Sequence, residues 1–110
     1  MNIEATIVSY LNRNGFKAYA DVPNPRPESF VTVERTGGTS DSVVLDRPTV
    51  AVQAWAKTRY EASELMLAVD DCIRNIVSEK NVTRCKRNSM YNYPDSNQAR
   101  YQAVYDLVTY

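Results

Sequence analysis

The sequence predicts an α+β fold: a single domain over residues 1–110, with a mostly antiparallel sheet, a long projecting β-hairpin and two helices. Two segments space their apolar residues by three and four, the signature of one helix face. Several others are rich in β-branched residues, alternate in polarity and are bounded by Gly, Pro or Asn, as strands are. A length of 110 residues with 44% hydrophobic content supports one core and leaves no chain for a second.

The first helix is predicted over residues 2–14. Ile3, Ile7 and Leu11 recur at i, i+4 and i+8, and Ala5 and Val8 widen the stripe. Asn2 suits the cap, and Asn14-Gly15 supplies a left-handed stop. Residues 16–21 alternate as a short strand, with Phe16, Ala18 and Ala20 on one side. Pro23, Pro25 and Pro27 then crowd residues 22–29; each lacks a backbone donor and biases its predecessor to extended geometry, which predicts a stiff loop.

Residues 30–36 resume strand patterning, break at Gly37-Gly38, and return at residues 43–45 and 49–55. Two β-rich arms around a Gly/Thr/Ser/Asp turn predict an antiparallel hairpin. Pro48 is tolerated at an edge or bulge, so the tip is expected to project beyond the sheet. The second helix is predicted over 59–77. Thr58-Arg59-Tyr60-Glu61 forms a capping box, and Ala62, Leu65, Met66, Val69, Cys72, Ile73 and Ile76 follow helical spacing. Its opposite face is expected to carry Glu64, Asp70, Asp71, Arg74 and Asn75. A short strand over 82–88, a loop or crossover over 90–97 and a long strand over 99–110 complete the order.

Composition narrows the chemistry. There is no His, which removes the usual general base, the usual proton switch and the commonest metal ligand. Cys72 falls on the apolar stripe, where Cys acts as a small hydrophobe. Cys85 alternates with Arg84 and Lys86, which would lower an exposed thiol's pKa, yet no His stands by to activate it. Asp70 and Asp71 diverge by about 100° on a helix and cannot share a substrate atom. Gly37-Gly38 has no following Lys-Ser/Thr and so makes no phosphate loop. The expectation is a protein that is not an enzyme, with no catalytic residue, cofactor or metal. No apolar run approaches the ~20 residues that span a bilayer, and residues 1–14 show no signal-peptide pattern, so reduced thiols and no membrane are expected.

Thirteen Lys and Arg balance thirteen Asp and Glu, but not locally. Glu61, Glu64, Asp70 and Asp71 cluster without a base, whereas Arg74, Lys80, Arg84, Lys86 and Arg87 follow against Glu79 alone. Opposite patches on one domain suit head-to-tail packing of identical subunits. Of eight tyrosines, Tyr91, Tyr93, Tyr101 and Tyr105 cluster near Arg100, a composition typical of interfaces. Aromatics on strands also stack single-stranded bases.

Asp21-Val22-Pro23, then Arg26-Pro27-Glu28-Ser29-Phe30-Val31-Thr32-Val33-Glu34-Arg35-Thr36-Gly37-Gly38, resembles a signature of small tail proteins of long-tailed phages. Asp46-Arg47-Pro48-Thr49-Val50-Ala51-Val52-Gln53-Ala54-Trp55-Ala56, Glu61-Ala62-Ser63-Glu64-Leu65, Tyr93-Pro94-Asp95 and Ala99-Arg100-Tyr101-Gln102 are similar to the same group. These are the tail terminator, or tail-completion, proteins of siphovirus-type virions. The resemblance covers most of the chain; residues 82–92 match least.

The resemblance implies a subunit made in the host cytoplasm that assembles into a ring, typically a hexamer, at the head-proximal end of the virion's tail. Its partners would be further copies of itself, the major tail tube protein and the head–tail connector protein. Genomic DNA would pass through the channel without sequence-specific binding. Arg35, Asp41, Asp46 and Arg47 of the hairpin are the candidate contacts to a neighbouring subunit. Arg84, Lys86 and Arg87 are the candidate channel or partner surface. Two alternatives stand beside this: a head-completion or connector protein at the same junction, and a small nucleic-acid-binding module using Arg84, Lys86, Arg87 and the nearby tyrosines.

Overall fold

The computed structural model describes residues 1–39 and 45–110. Helix α1 (Ile3–Arg13) begins where the Asn2 side chain accepts the Ala5 N–H at 3.0 Å. It ends in a Schellman turn: Phe16 N–H donates to the Leu11 carbonyl, Gly15 N–H to the Asn12 carbonyl, and Gly15 takes φ +92°. That left-handed position is the one Asn14-Gly15 predicts, and glycine adopts it without steric cost.

Of the strand expected over 16–21, only β1 (Ala18–Tyr19) pairs, in parallel, with β2 (Phe30–Thr39). The Asn12 carboxamide engages both the N–H and the carbonyl of Ala18, each at 3.1 Å, and ties this segment to the helix instead. The prolines that follow offer no donors to lengthen it.

Strand β2 runs through the glycines expected to break it. A bulge between Arg35 and Gly37 absorbs one extra residue, and Gly38 at φ +116° pairs with Pro48 of β3 (Arg47–Ala56). Pro48 sits inside the sheet, not at an edge. The antiparallel ladder of β3 with β5 (Ala99–Thr109) starts at Thr49, and Asp46 and Thr109 exchange both backbone bonds beyond it. The proline, with no N–H to give, occupies the gap. The hairpin tip at residues 40–44, with Asp41 and the Val43-Val44 part of the second arm, lies outside the described residues.

Helix α2 (Arg59–Ile73) starts where the Thr58 hydroxyl accepts the Glu61 N–H at 3.2 Å. It stops four residues short of the predicted 77. Asn75 N–H bonds the Cys72 carbonyl, tightening the last turn, and a 3-10 turn (Ile76–Ser78) follows. Ile76 is still fully buried, which is why apolar spacing carried past the true end. Strand β4 (Val82–Asn92) is longer than the expected 82–88 because the turn to β5 is confined to residues 93–98. It pairs antiparallel with β5 through two bulges.

The result is one α+β domain: a five-stranded, mostly antiparallel sheet in the order β1-β2-β3-β5-β4 with two helices. Helix α1 packs on β1 and β2, α2 on β3 and β5. Ile7, Leu11, Val31, Val52, Met66 and Tyr105 centre the core between them. The face of the sheet away from the helices carries Phe30, Thr32, Gln53 and Trp55, and the proline-rich loop lies across it.

Candidate functional site

Two features distinguish the face away from the helices. One is an aromatic–guanidinium cluster at the end where β3 finishes and β5 begins. The Trp55 indole stacks on Phe30, with centroids 5.3 Å apart and rings 9° from parallel. The Arg100 guanidinium lies 4.7 Å from the Trp55 centroid and 4.3 Å from that of Tyr93, and Arg26 lies 5.2 Å from Trp55. Arg26 also reaches Asp95 at 3.4 Å. The Asn97 backbone N–H, and then Arg26 and Arg100, hold the Asp95 carboxyl below its usual range.

From this cluster a polar chain crosses four strands. Trp55 Nε1–H donates to Thr32 Oγ1 at 2.9 Å, and Thr32 donates to Gln53 Oε1 at 2.7 Å. Gln53 Nε2 donates to Gln102 Oε1 at 2.6 Å, and Gln102 in turn donates to the Tyr91 hydroxyl. Buried polar groups must be satisfied, and each link here has its partner. Arg26, Trp55, Tyr93, Asp95 and Arg100 come from three distant stretches of chain.

The second feature is a basic groove of about 340 Å³ at the other end of the same face. Arg47 and Thr49 of β3, Arg84 and Lys86 of β4, and Asp106 and Val108 of β5 line it. Alternation along β4 places Arg84 opposite Val108 and Lys86 opposite Asp106. Asp106 accepts hydrogen bonds from Thr49 Oγ1 at 3.2 Å and Asn88 Nδ2 at 3.1 Å. The groove therefore unites Arg47 with Arg84 and Lys86, which the sequence assigned to different surfaces.

It does not gather the other predicted residues. Arg35 forms a bidentate pair with Asp46 at 2.8 and 3.0 Å. That guanidinium holds the Asp46 carboxyl below its ordinary value. Arg87 leaves its two basic neighbours: it points to the helix side of β4 and meets Asp70 at 3.0 Å.

No family model matches the chain, and neither does any curated protein.

Two positions, Asp70 and Cys85, differ from the sequence reading. Asp70, expected on the solvated face of α2, is 2% exposed, accepts from Tyr105 and Arg87, and lies beside Arg74 at 3.3 Å. Its spacing from Met66 and Ile73 would have placed it on the sheet-facing side; polarity alone pointed the other way. Cys85 faces the core side of β4, away from Arg84 and Lys86. Burial, and then the Asp70 charge, push its thiol up to about 12. Among the described residues no three His, Cys, Asp or Glu side chains converge to hold a metal ion, and no helix is long and apolar enough to cross a membrane.

Proposed function

We propose that the chain is a structural virion protein of a long-tailed phage, forming a ring at the head-proximal end of the tail tube. There it ends tube growth and joins the tail to the head connector. The observation that carries this reading is the convergence of Arg26, Trp55, Tyr93, Asp95 and Arg100 into one contact cluster. Residues that carry the tail-terminator resemblance from separate parts of the chain thus serve one structural purpose, pinning the proline-rich loop to the sheet.

The charged groups support an assembly role over a catalytic one. The strongest pairs, Arg35–Asp46 and the Asp70 cluster, are structural ties.

Electron microscopy of phage particles lacking the protein tests the proposal: overlong tails and unattached heads are expected. Normal tails on DNA-leaking heads would indicate a connector role instead. The purified chain should also bind purified tail-tube protein, and a strict monomer that fails to do so would sink the reading.

A further inference from the structure

The exposed face of α2 carries a stripe unlike the rest of the surface. Tyr60, Glu64, Leu67 and Asp71 follow one another at helical spacing opposite the residues that face the sheet. Tyr60 is 71% and Leu67 53% exposed, so two large apolar side chains stand in water between carboxylates. Glu61 lies alongside, and Arg74 balances part of the acidic end through Asp71 at 3.8 Å.

The basic groove is the complement of this stripe. It holds Arg47, Arg84 and Lys86 around the half-buried Val108 side chain. Among the described residues neither Arg84 nor Lys86 forms an ion pair. Stripe and groove lie on opposite faces of the sheet, so one chain cannot bring its own two surfaces together.

We propose that the Tyr60–Glu64–Leu67–Asp71 stripe of one copy docks in the Arg47/Arg84/Lys86 groove of the next. This inference rests on the ring reading above and names the two surfaces that would build the ring. Because the patches differ, the contact is heterologous: it repeats from copy to copy and closes when the rotation divides a full turn. A second copy fits the groove better than a nucleic acid does. The chain carries no net charge, and exposed Tyr60 and Leu67 suit the apolar Val108 side chain of the groove, not a phosphate backbone.

Sedimentation velocity on the full chain tests this, at about 0.05 M and 0.5 M salt to span weak and strong screening. Wild type should self-associate, and high salt should weaken it. R84E/K86E and E61K/E64K should each raise the dissociation constant about tenfold or more, with unchanged circular dichroism. An equimolar mixture of the two should restore assembly, since each reversed groove then meets a reversed stripe and each native groove a native one. L67D should weaken assembly without such rescue. A wild-type chain that stays monomeric at about 1 mM, where even weak contacts register, overturns the proposal. So does a mixture that fails to reassemble. Assembly unmoved by either reversal overturns the surfaces while leaving the ring standing; failure to bind tail-tube protein counts against the ring itself. Loss of duplex DNA binding in R84E/K86E, with sedimentation unchanged, would assign the groove to nucleic acid instead.

Discussion

Tyr105 donates its phenolic hydrogen to the buried carboxylate of Asp70 at 2.7 Å, joining strand β5 to helix α2. Tyr105 is itself fully buried, so the bond forms where water cannot replace it. Arg87 and Arg74 hold the other carboxylate oxygen, but their side chains are 42% and 58% exposed. Hydrogen bonds to charged groups contribute roughly 1.5–3 kcal/mol, whereas half-exposed ion pairs give about 1 kcal/mol or less. Tyr105→Phe is therefore predicted to cost about 2 kcal/mol and Arg87→Ala under about 1 kcal/mol, by urea unfolding. Equal losses would contradict this ranking.

The same bond predicts alkaline lability. Burial first, and then Asp70, raise the Tyr105 pKa above its ordinary value. A raised folded-state pKa means that the native state holds the proton more tightly than the unfolded chain. The associated stability is whole below the unfolded value of about 10 and drains as pH rises beyond it. Tyr10, pushed up to about 12 by burial and its hydrogen bond at Cys72, acts in the same direction. Urea midpoints should fall from pH 9 to pH 11, and the fall should be shallower in Tyr105→Phe. Parallel slopes would remove Tyr105 as a source.

Most of the architecture was legible because its signals are local. Asn2, Asn14-Gly15 and Thr58 mark helix ends through bonds to residues three to five positions away, and the structure forms them; of the predicted capping box it forms the Thr58 half, in which the hydroxyl accepts the Glu61 N–H. What escaped depends on partners distant in sequence. Nothing near Gly37-Gly38 announces that Pro48 will sit against it. Asp70 is different: its spacing from Met66 and Ile73 marks the sheet-facing side, but its charge hid that signal, and only its partner Tyr105 is distant in sequence. The groove combines residues from β3, β4 and β5, so its parts were visible in the sequence and their union was not.

Gly38 and Gly37 should respond oppositely to substitution. A Cβ on Gly38 would stand 2.3 Å from the Arg47 carbonyl oxygen and 2.7 Å from Pro48 Cα, and φ +116° is itself unfavourable for an L side chain. Both obstacles are backbone, and the paired strand cannot step aside. Gly37 has no atom within 4 Å of a Cβ and no positive φ. Gly38→Ala is predicted to cost about 2–3 kcal/mol. Gly37→Ala should be neutral or gain up to about 1 kcal/mol by restricting the unfolded chain. Thermal melting of the two variants gives the comparison, and similar melting temperatures would refute it.

Cys85 should be slow to react despite its basic neighbours. Only the thiolate attacks a disulfide reagent, and burial pushes this thiol up to about 12. At pH 8 the native protein should react with an aromatic disulfide at least about tenfold more slowly than the urea-unfolded chain. Arg84→Ala should leave that rate unchanged, because Arg84 lies on the other face of β4. A rate that drops in Arg84→Ala would restore electrostatic activation of the thiol.

Thr32 holds the centre of the polar chain on the sheet's other face. Its single hydroxyl accepts from Trp55 Nε1–H and donates to Gln53 Oε1, and all three residues are buried. Thr32→Val keeps the shape and removes both bonds at once, leaving the indole N–H and one Gln53 lone pair without a partner. Each such orphan costs about 1–3 kcal/mol, so a loss of about 2–4 kcal/mol is predicted, tempered where Gln53 can turn toward solvent. Thr32→Ser preserves the hydroxyl and should recover most of it, losing one methyl worth about 1 kcal/mol. Trp55 is the sole tryptophan, so its emission reads the site directly: Thr32→Val should shift it while Thr32→Ser should not. Equal stability of the two variants would show that the chain of bonds contributes nothing beyond packing.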